Sequence, residues 1–192
     1  MRKQEMVKQE TKNRIMKAFW ELYKTTNIEK ITVKSITDAC GIYRTTFYLH
    51  FADVYAILEQ IEEEMLTDLR SLTTESAKTP QEREVLLARA SANFEKNYEY
   101  LHILLDRKHD QKFAIIYKRE MTELLCALHQ VDMNTLNPEA KEIAVKSFSA
   151  IIDLFLTLGD SNQVSFDKIL VIIDGYLKNG IINTLRQIYG NC

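Results

Sequence analysis

The chain has 192 residues, 46% hydrophobic and 27% charged, the balance of an ordinary soluble globular protein with room for one large domain or a small one plus a medium one. No apolar run approaches the roughly 20 residues that span a bilayer, and the start, MRKQEMVKQETKNR, lacks the apolar core of a secretory signal, so a cytoplasmic protein with no membrane partner is expected. The net charge of −2 argues, taken alone, against a nucleic-acid partner, and three widely spaced cysteines (Cys40, Cys126, Cys192) without a CxxC pair argue against a disulfide framework or a zinc site.

Periodicity predicts a first helix from about Val7 to Thr25. Ile15, Ala18, Phe19, Leu22 and Tyr23 form one apolar stripe on it, and Trp20 falls off that stripe, packed on the rest of the chain or half exposed. Asn27 to Lys30 connect to the stretch TVKSITDACGIYRTTFYLHF, Thr32 to Phe51, which reads as two short helices joined by a tight turn. Thr32 is a natural N-cap, since its hydroxyl can accept from one of the first free N–H groups. Val33, Ile36 and Ala39 give the first short helix an apolar face. Gly41 stands where that helix ends and positive φ is needed. Ile42 fills the angle between the two, and Phe47 and Phe51 anchor the second helix one turn apart. Two helices joined by a short glycine-containing turn form a helix-turn-helix, whose second helix enters the DNA major groove. Arg44 can bond bidentately to guanine, and Thr45 and Thr46 can meet a base edge or a thymine methyl.

The distribution of charge points the opposite way from its sum. Residues 1–51 hold ten Lys/Arg and five Asp/Glu, a net +5, which leaves 15 basic and 22 acidic groups, a net −7, on the rest. A basic head on an acidic body is the footprint of a DNA-binding domain attached to something that does not bind DNA, although clustering on solvated faces gives the same split.

After Phe51, Asp53 can cap a long helix reaching about Ser76, with Val54, Leu58, Ile61, Met65 and Leu69 on its inner face and Glu59, Glu62, Glu63 and Glu64 outside. Ser71 to Thr79 is a polar loop. Thr79-Pro80-Gln81-Glu82 is a helix start, with threonine at the N-cap, proline at N1 and glutamate at N3, for a helix reaching about Lys96. A separate short helix is expected over Tyr98–Leu105, a charged turn over Asp106–Asp110, and an amphipathic helix from Phe113 to Val131. Asn137-Pro138 is a second start of the cap-plus-proline kind. The last two helices, about 139–158 and 166–189, are apolar over more than one face and need cover from two sides. A second subunit can supply it, giving a homodimer; the alternative is that both helices are central in a monomer. With no strand-period alternation, the chain reads as all-α with about nine helices, divided into a helix-turn-helix domain at 1–52 and a helical regulatory domain at 53–192.

No enzymatic motif stands out. His50, His102, His109 and His129 lack the i, i+4 partner of a helical metal pair, and there is no phosphate loop, GxSxG or HExxH, so no catalytic residue, metal or cofactor is expected. Aromatic density suggests a cavity in the body lined by Phe94, Tyr98, Tyr100, His102, Phe113, Tyr117, Cys126 and Phe148, with ordinary core as the alternative for each.

The run Gly41-Ile42-Tyr43-Arg44-Thr45-Thr46-Phe47-Tyr48-Leu49-His50-Phe51 resembles the signature of the tetracycline-repressor (TetR) family: a glycine and an aliphatic residue, a short recognition helix, then an aromatic-Tyr-x-His-Phe ending. Ile31-Thr32-Val33 and Ile36 also stand where that family has them, and the resemblance covers roughly residues 10–60. It departs at Tyr43, where a small N-cap such as serine is common, and at Ala52 and Val54, which replace lysines. The resemblance implies a homodimeric regulator, most often a repressor, that joins subunits through a four-helix bundle. Each subunit would place a recognition helix in a palindromic double-stranded DNA operator, with heads about 34–36 Å apart. It also implies that Arg44, Thr45 and Thr46 face bases, with Tyr43 beside them, that Thr32, Lys34, Tyr48 and His50 face phosphates, and that a small-molecule effector in the body releases the operator. Without lysines at 52 and 54, Arg44, Lys34 and the basic arm before Ile15 are expected to carry the phosphate attraction. The alternative is a TetR-like protein-interaction module or coactivator that works through a partner protein.

Overall fold

A computed structural model describes residues 2–73, 79–106, 111–129, 131, 134–160, 166–183 and 187–188. The described residues are all-helical, with eight α-helices: α1 (Arg2–Tyr23), α2 (Val33–Cys40), α3 (Arg44–Tyr48), α4 (Val54–Thr73), α5 (Pro80–Asp106), α6 (Gln111–Leu128), α7 (Pro138–Asp160) and α8 (Phe166–Tyr176). A 3₁₀ turn at Ile28–Lys30 precedes α2, and α8 runs on into a π-helical segment, Leu177–Ile182. Two compact units, Met1–Glu64 and Met65–Cys192, divide within α4.

In the first unit, α2 packs on α1 and on α3. Ile15, Phe19 and Tyr23 of the α1 stripe are buried with Ile36, Phe47 and Phe51. Trp20, read as lying off that stripe, is only 3% exposed and its ring centroid lies 5.6 Å from that of Tyr23, so α1 buries a wider arc than one stripe. Ala39, read as part of the inner face of α2, is exposed, and Thr37 is buried instead. The Thr37 hydroxyl makes this tolerable by donating to the Lys34 carbonyl at 3.0 Å.

Caps set the helix boundaries. Thr32 and Ser35 form a reciprocal capping box: Ser35 N donates to the Thr32 hydroxyl and Thr32 N to the Ser35 hydroxyl, both at 3.1 Å. Asp53 Oδ1 accepts from Ala56 N at 2.9 Å and opens α4, on which Val54, Leu58, Ile61, Met65 and Leu69 are all buried. Thr79 and Glu82 repeat the reciprocal arrangement at the start of α5, and Asn137 Oδ1 accepts from Ala140 N at 2.8 Å to open α7.

The count of eight rather than nine helices comes from α5. The break expected near Asn97 does not occur, and one helix runs from Pro80 to Asp106. No glycine or proline lies between Gln81 and Asp106, so nothing local interrupts the backbone ladder. The predicted ends at Ser76 and Tyr189, Cys192 and most of the 106–110 turn lie outside the described residues.

In the second unit, α5, α6, α7 and α8 pack on one another. The buried Glu120 carboxylate sits 3.3 Å from Arg70 and 3.1 Å from Arg119, so its charge is paired rather than stranded. Lys96 reaches Asp68 at 3.1 Å, and Lys118 joins α6 to Asp153 of α7 at 2.6 Å.

Gly41 has φ +65° and nothing within 4 Å of where a Cβ would stand. Gly41→Ala should therefore cost only the backbone strain of a left-handed L-residue, about 1–2 kcal/mol, with Gly41→Asn costing less. Urea titration followed by circular dichroism measures it, and an unchanged midpoint for Gly41→Ala would show that this conformation does not hold α2 and α3 together.

Candidate nucleic-acid interface and ligand cavity

The turn between α2 and α3 is built from satisfied carbonyls. Gly41 N and Ile42 N both donate to the Thr37 carbonyl, the latter at 3.1 Å, and the Arg14 guanidinium donates to the Cys40 carbonyl at 2.6 Å. A cation at the C-terminal end of α2 also meets the negative end of its dipole. Arg14 is thus committed to the fold. Tyr43 is the N-cap of α3 without any side-chain cap bond; its carbonyl accepts from Thr46 N at 3.0 Å and Phe47 N at 3.1 Å. Relieved of capping, the Tyr43 ring is 83% exposed.

Phe47 and Phe51 point inward, with ring centroids 6.1 Å apart, and this fixes which side chains α3 turns outward. Arg44, Thr45, Tyr48 and Leu49 are exposed, and Thr46 is half-buried. On α2, Thr32 and Lys34 are exposed, with the Thr32 hydroxyl already engaged as the cap. The eight candidate DNA-facing residues are spread from the start of α2 to just past α3, six of them exposed; Thr46 and His50 are half-buried.

Beside the end of α3 there is a cluster not anticipated from the sequence. Lys12 Nζ lies 5.8 Å from the Phe51 ring centroid, and Lys8 is one turn earlier on α1. His50 is held below its ordinary pKa of 6.5, first by desolvation and then by the positive charges of Lys8 and Lys12. The i, i+4 spacing of Lys8 and Lys12 is visible in the sequence, but their approach to His50 depends on how α1 packs against the rest of this unit. Cys40 is pushed above its ordinary value by burial, which outweighs the opposing effect of Arg14, so its thiol is not activated.

The second unit contains a cavity of about 70 Å³ among α5, α6, α7 and α8, walled by Phe94, Leu124, Leu128, Ile152, Ile173 and Leu177. Two polar side chains face it, His129 and Asp174, with His129 Nε2 3.6 Å from Asp174 Oδ1. His129 follows the last turn of α6, its N–H donating to the Leu125 and Cys126 carbonyls. The other Asp174 oxygen is paired with Lys178.

Of the residues read as pocket-lining, Phe94 borders this cavity and Tyr98, Tyr100, His102, Phe113, Tyr117, Cys126 and Phe148 do not. Phe113, Tyr117 and Phe148 are closed core, with the rings of Phe113 and Tyr117 5.6 Å apart. Tyr98 and His102 are half-buried and lie ring to ring at 6.1 Å. Burial pushes the Tyr117 phenol up, and burial together with Glu123 pushes the Cys126 thiol up to about 12, so both stay protonated. Large rings fill space, whereas the void lies between aliphatic side chains from separate helices. Among the described residues no group of His, Cys, Asp and Glu is placed to hold a metal, and no helix is long and apolar enough to cross a membrane.

No sequence-family model matches the chain, and no curated protein sequence matches it. Among solved structures it is similar to the fatty acid degradation regulator FadR from Bacillus halodurans, at 16% identity and a TM-score of 0.58 over 88% of this chain and 95% of that one. At that identity the likeness shows a shared all-helical fold.

The lowered His50 pKa has a definite sign. The folded state binds a proton less readily than the unfolded chain, so its contribution to stability is present above 6.5 and lost as pH falls through the folded pKa. Replacing Lys8 and Lys12 together by Gln should raise the His50 pKa in an NMR titration; a pKa unmoved by the double substitution would remove the lysines as a cause.

Proposed function

We propose that the chain is a DNA-binding transcriptional regulator of the TetR type, a repressor that binds a palindromic operator as a homodimer and leaves it when a small molecule enters its body. Residues 1–52 form the reading head and 53–192 the regulatory part. The observation that carries this reading is the helix-turn-helix itself: α2 ends in left-handed Gly41, and α3 turns Arg44, Thr45 and Tyr48 to solvent while Phe47 and Phe51 hold it from behind. The net +5 on residues 1–51 supports it independently. The structural neighbour is a regulator by its description, which agrees with the reading.

The dimer part rests on α7 and α8. Val171 and Tyr176 are 73% and 66% exposed, and Ile172, Ile143 and Leu154 are exposed as well. So many large apolar side chains on two neighbouring helices call for cover by a second copy. Ile173, Asp174 and Leu177 of the same stretch face the cavity, so one helix serves both the effector and the subunit contact.

A second reading has its own support. Tyr43, Tyr48 and Leu49 are exposed and residues 52 and 54 are Ala and Val, a surface that also suits a partner protein. Salt separates the two, because operator binding weakens steeply as counterions are released.

Selection of bound sites from random double-stranded DNA should recover a palindrome. Against that site, Arg44→Ala should cost about 1–3 kcal/mol and relax the preference at one base of each half-site. Enrichment of nothing at low salt favours the partner-protein reading, and unchanged binding by Arg44→Ala removes α3 as the reading helix. Ile172→Glu should convert a dimer to a monomer in sedimentation equilibrium; a dimer that survives it is built elsewhere.

A further inference from the structure

The cavity carries more than a place for an effector: its walls and its two polar groups select a chemical class. The geometry points to a narrow alkyl amphiphile with a hydrogen-bond-donating head, an amine or an alcohol, as the molecule that binds between α5, α6, α7 and α8 with its head at Asp174 and His129. This deepens the effector part of the function proposed above and rests on that reading for its regulatory meaning, though not for binding.

The apolar part follows from the walls. Phe94, Leu124, Leu128, Ile152, Ile173 and Leu177 offer no hydrogen-bonding side chain, so a polar ligand body would be desolvated there without compensation. Size narrows the choice further. An apolar cavity of about 150 Å³ takes a benzene ring, so one of about 70 Å³ has room for a short alkyl chain of about four carbons and not for a ring system or a long chain.

The head follows from Asp174. It follows the apolar run Ile169-Leu170-Val171-Ile172-Ile173 and is itself part-buried, so its carboxylate gains from a partner. Its Oδ2 is answered by Lys178, one turn on. Asp174 lines the cavity, and its Oδ1 stands 3.6 Å from His129 Nε2, an ion-pair distance beyond hydrogen-bond length, on a side chain 28% exposed. A carboxylate oxygen in this position can accept from an ammonium or a hydroxyl. A carboxylate head would instead be brought against a like charge at short range.

The α8 backbone is irregular at this point. Leu177, fully buried at the wall, is the first residue of the π-helical segment, and such segments are frequent at functional sites.

Butylamine, 1-butanol and butyrate share one short chain and differ in the head, so the three probes isolate it. Binding to the full chain is read by isothermal titration calorimetry. Butylamine and 1-butanol should bind, butylamine about tenfold or more tighter than butyrate. Asp174→Asn should erase most of the butylamine advantage while 1-butanol binding persists, and thermal melts establish that this near-isosteric variant is folded. Leu124→Ala, which enlarges the cavity, should alter the affinity of all three. Butyrate binding as tightly as butylamine, no binding by any probe, or butylamine binding indifferent to Asp174→Asn would each overturn the assignment. Retention of the selected DNA site is measured on the same preparation without probe. DNA binding with no amphiphile bound sinks only the cavity assignment, whereas amphiphile binding without DNA retention sinks the regulator reading and leaves the cavity standing.

Discussion

The left-handed backbone at Gly41 sets where α3 begins and in which direction it leaves α2, and the rest of the first unit answers to it. The turn closes α2 by sending the N–H groups of Gly41 and Ile42 to the Thr37 carbonyl, and Arg14 takes the Cys40 carbonyl. An isolated helix of five residues cannot offset its own nucleation cost, so α3 exists because Phe47 and Phe51 bury their rings behind it. That same burial dictates the outward set. Arg44, Thr45 and Tyr48 are available to a partner because Phe47 is not.

Most of this first unit is legible in the sequence, for local reasons. N-caps at Thr32 and Asp53, like those at Thr79 and Asn137 in the second unit, are decided within three residues of chain, and Gly41 announces a positive φ. Elements that depend on distant partners are not legible. The continuity of α5 past Asn97 turns on the absence of a breaker, a weaker signal than a cap. The cavity escapes sequence reasoning for a different reason. Density of Phe, Tyr and His marks where volume is filled, and Phe113, Tyr117 and Phe148 fill it completely. A void needs a shortfall of volume between helices, and which side chains border it, here Leu124, Ile152 and Ile173 from three helices, is a matter of tertiary packing.

Electrostatics shows the same division. Arg14 and Lys12 contribute equally to a net charge, yet Arg14 is tied to a backbone carbonyl while Lys12 lies over Phe51 beside His50. On the proposed reading, Lys8 and Lys12 supply from α1 the positive charge that residues 52 and 54 lack. The arm before Ile15 then contributes through these two lysines rather than through its charge as a whole. On the same reading, an arriving phosphate would offset the repulsion by Lys8 and Lys12 that adds to desolvation in lowering the His50 pKa, so the imidazole would take up a proton more readily in the complex than in the free chain.

In the second unit the decisive element is α8. It is too short of polar residues to sit on a surface and too exposed at Val171, Ile172 and Tyr176 to be a core helix. Its residues Ile173 and Asp174, with Leu177 just beyond its end, bound the cavity within one turn of those exposed ones. A helix is stiff over so short a span, so a ligand that displaces the inward set displaces the outward set with it. On the proposed reading, how far a dimer equilibrium would move is limited by the difference in the ligand's affinity for the two arrangements, not by its affinity as such. Asp174 is the residue on which such a difference can be built. Its charge is balanced by Lys178 on one side and faces an imidazole across a gap on the other, so a small change in the position of α8 alters what a bound head meets.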